Sequence, residues 1–376
     1  MIRVTTNSTL HMYQSNLMQS SNQLYSAMEK LMTGRNFDSY ASNPAGATRA
    51  FKLHSALNAV NAQAANNETV LNKFGTAYSI LDEVTNELTH DLAQAPALGG
   101  LDNSHLSSLN SYAQVIRSDA IVQVLNGKYE NDFIFNGSET GEAPFAIQED
   151  QSQNPPVDVL TFRGWRVDVP DNDDVYLDLN GKEVLENGVP LTNSDVHDKL
   201  TDMAGETLYV DVGLGFQLDR NGAVIPSTAF DSALSGMDIL GFGLDEDGDP
   251  KNIVSIMLRI SDVFGGYQHN DAANTEGTWG PAGNYDDASR LVSKFEKAHN
   301  GLIQEHVELS SQADYLETNQ TRLKSTFDSL NNELVAIEDI DRVDAILQLS
   351  YAQTCYNAAL QVGANVIPQS LMDYLR

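Results

Sequence analysis

The 376-residue chain is short of several things, and each shortage removes a class of function. It has one cysteine, Cys355, which excludes an intramolecular disulfide framework and a cysteine-based zinc site. Basic residues number 22 against 52 acidic ones, a formal charge of −30. Phosphate contacts need clusters of Lys and Arg, so nucleic acid is not an expected partner. No apolar run approaches the roughly 18 residues of a membrane span, and no membrane partner is expected. The start, Met1-Ile2-Arg3-Val4-Thr5-Thr6-Asn7, lacks a charged leader followed by an apolar core. The expected address is therefore the cytoplasm, or the outside of the cell by a route that reads no cleaved signal.

Catalytic signatures are missing too. There is no Gly-x-Ser-x-Gly, no P-loop, no Gly-x-Gly-x-x-Gly and no His-Glu-x-x-His. His299 and His306 flank Glu305 but lie two helical turns apart, whereas a zinc protease needs its histidines one turn apart. Asp245-Glu246-Asp247-Gly248-Asp249 has an EF-hand flavour, yet its glycine is fourth rather than sixth and no glutamate stands twelfth. A solvated turn is the better reading. Cys355, Trp165 and Trp279 read as packing residues. No catalytic residue, cofactor or metal ligand is expected, and nothing marks the chain as an enzyme.

What the sequence does have is a sevenfold repeat at each end. Leu302, Leu309, Leu316, Leu323, Leu330 and Ile337 recur without a miss, flanked by His306, Ala313, Gln320, Phe327 and Leu334. Residues at that spacing share one narrow face of a helix and need a long partner to cover it. Leu10, Leu17, Leu24 and Leu31 repeat the spacing at the other end, so the two ends are expected to lie together. With Ile346, Tyr356, Leu360 and Ile367 of a last helix, these leucines form the expected assembly seam, covered within the chain or by a neighbouring copy.

Between the ends the period changes. Gly34 stops a first helix over 8–32; Asn43 caps a second and Pro44 suits its first turn. Leu57, Val60, Ala64, Leu71, Phe74, Tyr78, Leu81, Leu88 and Leu92 continue the second helix, with Asn67 and Thr85 as polar exceptions that fix register. It is expected to end near Pro96 and Gly99-Gly100. A third helix is expected from Asp102 through Leu109, Ile116 and Ile121 to Asn126-Gly127. Phe133-Ile134-Phe135 before Asn136-Gly137 reads as a hairpin, because Asn-Gly accepts positive φ. From about 141 to 265 the pattern reads mostly β, in Val157–Val169, Val175–Leu179 and Leu208–Leu218, with turns at Asn180-Gly181 and Asn221-Gly222. One short helix is expected at about 252–264, then a loop to Asn284. Glu338-Asp339-Ile340-Asp341 interrupts the heptads, and Pro368 kinks the last helix.

The expected fold is mainly α with an inserted β domain: long N- and C-terminal helices paired in a coiled-coil-like stalk, and a β-rich central domain projecting outward. The expected segments are 1–42 and 339–376 for an inner helical assembly domain, 43–140 and 285–338 for the stalk, and 141–284 for the β insert.

Leu31-Met32-Thr33-Gly34-Arg35 with Asn43-Pro44-Ala45-Gly46-Ala47 resembles the L-S-S-G-K/R … D-P-A-G-A segment of bacterial flagellins. The run Leu347-Gln348-Leu349-Ser350-Tyr351-Ala352 through Gln361-Val362-Gly363-Ala364 resembles the last helix of that family. Three features resemble the hook-associated branch at the hook–filament junction. They are Pro368-Gln369-Ser370-Leu371, Ile337-Glu338-Asp339-Ile340-Asp341, and Phe133-Ile134-Phe135-Asn136-Gly137 with Ala143-Pro144-Phe145. Ser39-Tyr40-Ala41-Ser42-Asn43 and Thr89-His90-Asp91-Leu92 depart from the flagellin pattern. The likeness covers about 1–147 and 285–376.

The resemblance implies a self-assembling structural protein of the bacterial flagellum, joining hook to filament and supporting motility. It implies export through the flagellar secretion channel without a cleaved signal. The implied partners are further copies of the chain, an adjoining hook-associated protein, a filament-side flagellin or adaptor, and an export chaperone for the C-terminal segment. A filament-forming flagellin is the alternative within the family; an enzyme or adhesin displayed on a flagellin-like stalk, or a cytoplasmic helical scaffold, lie outside it.

Overall fold

The computed structural model describes residues 6–37, 41, 43–89, 118–139, 141–152, 156–265, 278–279 and 283–366. The chain forms two compact units, Met1–Ala62 with Arg322–Arg376, and Gln63–Thr321. Two long helices, α2 (Pro44–Asp82) and α7 (Tyr285–Glu338), contribute to both.

The first unit contains α1 (Thr6–Thr33) and α8 (Arg342–Val366), packed along each other, whereas the sequence spacing pairs the α1 heptads with those of residues 302–337, which lie on α7. Local chemistry sets the helix ends. Gly34, at φ +71, closes α1 with its amide on the Lys30 carbonyl at 2.9 Å. The Asn43 Oδ1 takes the Gly46 amide at 3.0 Å, so Asn43 does cap α2. The Asp341 carboxylate takes the Val343 amide at 2.8 Å and starts α8. The two connections also join: Arg35 bridges Asp339, and the Asn36 amide meets the Glu338 carbonyl at 2.6 Å. Beside them, Ala50, Leu53, Leu57 and Leu334 form a small buried cluster with Phe37, Phe327, Leu330 and Ile337 around it.

The second unit holds the main core, which includes Phe74, Phe135, Phe145, Phe162 and Phe295, all essentially inaccessible. Its described elements after α2 are α3 (Ser118–Leu125), β1 (Lys128–Tyr129), β2 (Asp132–Phe133), β3 (Phe145–Asp150), β4 (Val157–Phe162) and β5 (Trp165–Arg166). There follow β6 (Leu185–Glu186), β7 (Val189–Pro190), α4 (Asn193–Ala204), β8 (Tyr209–Val210), β9 (Phe230–Asp231), α5 (Gly236–Leu240) and α6 (Ile253–Gly265). The pair β10 (Thr278–Trp279) and β11 (Gly283–Asn284) precedes α7. Strands β3, β4 and β5 make an antiparallel sheet with Phe145 opposite Phe162. Arg163 and Gly164, both at positive φ, turn β4 into β5. Four successive residues of β4, Val159 to Phe162, are buried, and α6 packs on the strand.

The fold class matches the sequence reading: mainly α, with small strands in the middle and the terminal helices packed together. Two details differ. The hairpin lies one step earlier than expected, β1–Glu130-Asn131–β2, with Glu130 itself at φ +57. Asn136-Gly137 instead leaves the hairpin: Asn136 bridges Ser235, and Gly137 (φ +61) passes close to the Glu206 carboxylate. The stretch from 141 to 265 also holds more helix than strand alternation implied. Helix α4 is set by a reciprocal cap between Thr192 and Asp195 and buries Val196 and Leu200 one turn apart. Helix α6 matches the expected short helix. The expected helix end at Pro96 and the start at Asp102 lie outside the described residues.

Candidate assembly surface on the terminal helices

The heptad leucines of α7 are largely covered by the chain itself. Leu302, Leu309 and Leu316 belong to the main core, Leu323 is equally buried, and Leu330 and Ile337 pack on the small cluster. The polar exceptions on α2 serve this packing. Asn67, fully buried, donates to the Leu316 carbonyl and the Gln320 side chain, both at 2.9 Å. It accepts from Asn319 at 2.7 Å, and Asn319 also reaches the Val212 carbonyl at 2.8 Å. A satisfied amide network of this kind tolerates one helix register, since a slip strands every member. Thr85 lies in a π-helical turn (Glu83–Leu88) that ends α2, where its carbonyl is 3.0 Å from His299 Nε2. That contact and the nearby Phe295 ring place His299 in the core, and His306 stacks on Tyr78.

On α1, Leu17, Leu24 and Leu31 are half-buried in one row with Tyr13, Ser20 and Ala27. Leu10 lies on the same helix, and Ile367 falls outside the described residues. The row that α8 presents in return runs through Ala345, Leu349, Ala352, Tyr356, Ala359 and Gly363, in steps of four and three. Small residues recur in it because the helices approach closely: a Cβ at Gly363 would overlap the Tyr13 ring. Of the expected α8 residues, Tyr356 therefore sits at this contact, while Ile346 and Leu360 remain exposed on its flank.

The outward faces carry large apolar side chains among polar ones. Met18, Tyr25 and Met32 stand seven apart on α1, with Met28 beside them; Met12 lies on the other flank. All are exposed, Met32 at 79 %. On α8, Val343, Leu347, Tyr351 and Val362 point away from α1, Tyr351 at 74 % exposure. Reading seams from leucine spacing missed both rows. The available signal was that α1 and α8 carry large apolar residues outside the leucine row as well as in it, which one partner helix does not cover.

The acidic turn is accounted for within the second unit. Asp245, Asp247 and Asp249 bring carboxylate oxygens within 4.8 Å of one another. Lys294 Nζ sits among them at 2.7, 2.9 and 2.6 Å, and Arg290 Nε adds 2.7 Å to Asp249. Although burial opposes it, these carboxylates hold the Lys294 ammonium above the ordinary lysine pKa. The position a metal ion would take is filled by the protein's own cation.

A pair of long helices with exposed large apolar side chains, in a chain that also has a unit with a large core of its own, defines the class of helical structural proteins. The model of the bacterial flagellin N-terminal helical region matches residues 4–140, and that of the C-terminal helical region matches residues 292–375. Together they span more than half of the chain, which belongs to the bacterial flagellin family, a family of structural flagellar proteins. Solved structures similar to it include a protein described as a flagellar hook-associated protein from Vibrio parahaemolyticus. That likeness has 13% identity and a TM-score of 0.46, covering 79% of this chain and 99% of the other. Bacillus cereus FlgL is similar at 14% identity and a TM-score of 0.42, over 76% and 99%. No curated protein matches the sequence. Among the described residues, no helix is long and apolar enough to cross a membrane.

Proposed function

We propose that this flagellar protein is a junction subunit that joins hook to filament, and that copies associate through the terminal helices. The observation that carries the association is the pair of uncovered apolar rows, Met18-Tyr25-Met28-Met32 on α1 and Val343-Leu347-Tyr351-Val362 on α8. Rows of exposed large apolar side chains are surfaces that another molecule gains by covering, and a neighbouring copy's terminal helices offer the same chemistry in return. Rows on two different helices make a heterologous contact, which closes into a ring or continues as a helix according to its rotation.

The half-buried Leu17, Leu24 and Leu31 hold α1 in place for that contact. The junction position, rather than the filament, is supported by the resemblance of Phe133–Gly137, Ile337–Asp341 and Pro368–Leu371 to the hook-associated branch. The adjoining partners are then a hook-associated protein on one side and a filament-side flagellin or adaptor on the other. Export passes through the flagellar secretion channel, with a chaperone on the C-terminal segment beforehand.

Quantitative mass spectrometry of sheared, purified flagella tests the position. A junction subunit is present in a fixed small number of copies per flagellum, whatever the filament length. A protein that dominates the preparation and scales with filament length is the filament flagellin, and the junction assignment falls.

A further inference from the structure

The chain has nine methionines, and the described ones divide sharply between the two units. In the second unit Met237 and Met257 are buried to within 2 % and Met203 is half-buried. In the first, Met12, Met18, Met28 and Met32 are all exposed, between 41 % and 79 %, and all lie on α1. Leucine would serve an apolar row as well in helix propensity and in area. What methionine adds is a flexible, polarizable thioether, soft in packing and oxidisable.

We propose that the α1 methionines are an oxidation site that gates association of the free subunit. The oxidant is a peroxide. The thioether sulfur donates an electron pair to one peroxide oxygen, an S–O bond forms as the O–O bond breaks, and the other oxygen leaves as water. Sulfur is oxidised by two electrons and the peroxide is reduced by two. Each event replaces an apolar sulfur with a strongly accepting, uncharged S=O group in the row that a neighbouring copy would cover. Desolvating that oxygen opposes contact, and no Lys or Arg stands within the Met18-Tyr25-Met28-Met32 row itself. The nearest cation along α1, Lys30, lies on its half-buried side. Because the sulfoxide is reducible, the block is reversible. Buried Met237 and Met257 keep the second unit out of this chemistry. The proposal rests on the reading that the terminal helices associate.

The experiment treats the purified free chain with graded hydrogen peroxide, maps oxygen gain by peptide mass spectrometry, and follows self-association by light scattering. Met12, Met18, Met28 and Met32 are expected to oxidise at least about tenfold faster than Met237 and Met257, in keeping with their exposure. Association is expected to fall in step and to return after methionine sulfoxide reductase. A variant with Met18→Leu, Met28→Leu and Met32→Leu is compared only with its own untreated form, and the fraction of its association lost to peroxide is expected to fall several-fold below that of the wild-type chain. Oxidised wild-type chain that associates like untreated chain overturns the proposal, as does a triple-leucine variant that remains equally sensitive. If the leucine variant does not associate, peroxide footprinting of assembled wild-type particles decides: protected α1 methionines uphold the gate, and freely oxidised ones in intact particles overturn it. Failure of the association reading is separate, since it appears as untreated chain that never associates with itself or with isolated flagellar ends.

Discussion

The two units of this chain are opposite solutions to the same problem of covering apolar surface. The second, residues 63–321, closes a core around five fully buried phenylalanines, and its loops are held by buried polar networks. The first has only the small cluster around Ala50, Leu53, Leu57 and Leu334 and places its other helices, α1 and α8, side by side with large apolar residues left exposed on both. Among the described residues, its Arg49–Glu333 ion pair is exposed and contributes little. A unit of this kind gains its missing core only when something else supplies it, and association becomes part of folding. The second unit should therefore be stable in the free chain. The first should be frayed alone and firm in the assembly.

Both tryptophans, Trp165 and Trp279, belong to the second unit, so fluorescence follows its unfolding separately from the helical pair. The largest effect is expected from Phe162→Ala. The ring is inaccessible and packs on Phe145 with centroids 5.1 Å apart. Its loss should cost about 3–5 kcal/mol in a urea titration. If Leu24→Ala on α1 moves the same fluorescence transition as far, the units are not independent and the comparison fails.

The next effect is electrostatic. Arg163 donates to both oxygens of Glu206 at 2.6 and 2.8 Å, and the Ser138 amide and hydroxyl add 2.8 and 2.9 Å. The Arg163 hydrogen bonds, more than any other cause, hold the Glu206 pKa at about 2. A depressed carboxylate stabilises the fold above its ordinary value, 4.5, and that stability is lost as pH falls through 2. The contribution is up to about 3 kcal/mol at neutral pH. Glu206→Gln should lower second-unit stability at pH 7 and flatten its decline between pH 5 and 2. An equally steep acid transition in the variant would put the acid sensitivity elsewhere.

A smaller loss is expected at Asn67. Asn67→Ala removes the acceptor of Asn319 and the donor to the Leu316 carbonyl, leaving buried groups unpaired at about 1–3 kcal/mol. The polarity of this site is legible in the amino-acid sequence, because an amide in the middle of a leucine-rich seam costs stability unless it fixes register. So are the Asn43 cap, the Gly34 stop and the short helix at 253–265.

Helix α4 is not, although Thr192 and Asp195 ahead of Val196 and Leu200 spell out a cap and a face; the surrounding acidic turns mask it. The contact row of α8 escapes for a different reason. Spacing rules favour large residues such as Ile346 and Leu360, whereas a close helix pair selects Ala345, Ala352 and Gly363. When a helix carries large apolar residues on more than one side, periodicity no longer says which side meets which partner. The candidate surface is thus half legible: the right helices, with the wrong faces.

The smallest effect on the free chain is expected where the comparison is sharpest. Leu347 is 61 % exposed on α8 and its neighbours Val343 and Tyr351 are more so. Leu347→Asp removes no buried contact, and position 347 is six residues into the helix, beyond its first turn. Free-chain stability should move by no more than about 0.5 kcal/mol. Association should be lost, because a carboxylate in a covered apolar row must be desolvated without a cation to meet it. Hydrogen exchange adds the mechanism. In the wild-type assembly the amides of α1 and α8 should exchange slowly and in the free chain quickly, while Leu347→Asp keeps the fast pattern at every concentration. Slow exchange of both helices in the free wild-type chain would mean that the pair is stable alone. The outer rows would then be a docking surface on a preformed scaffold, and folding and association would be separate events.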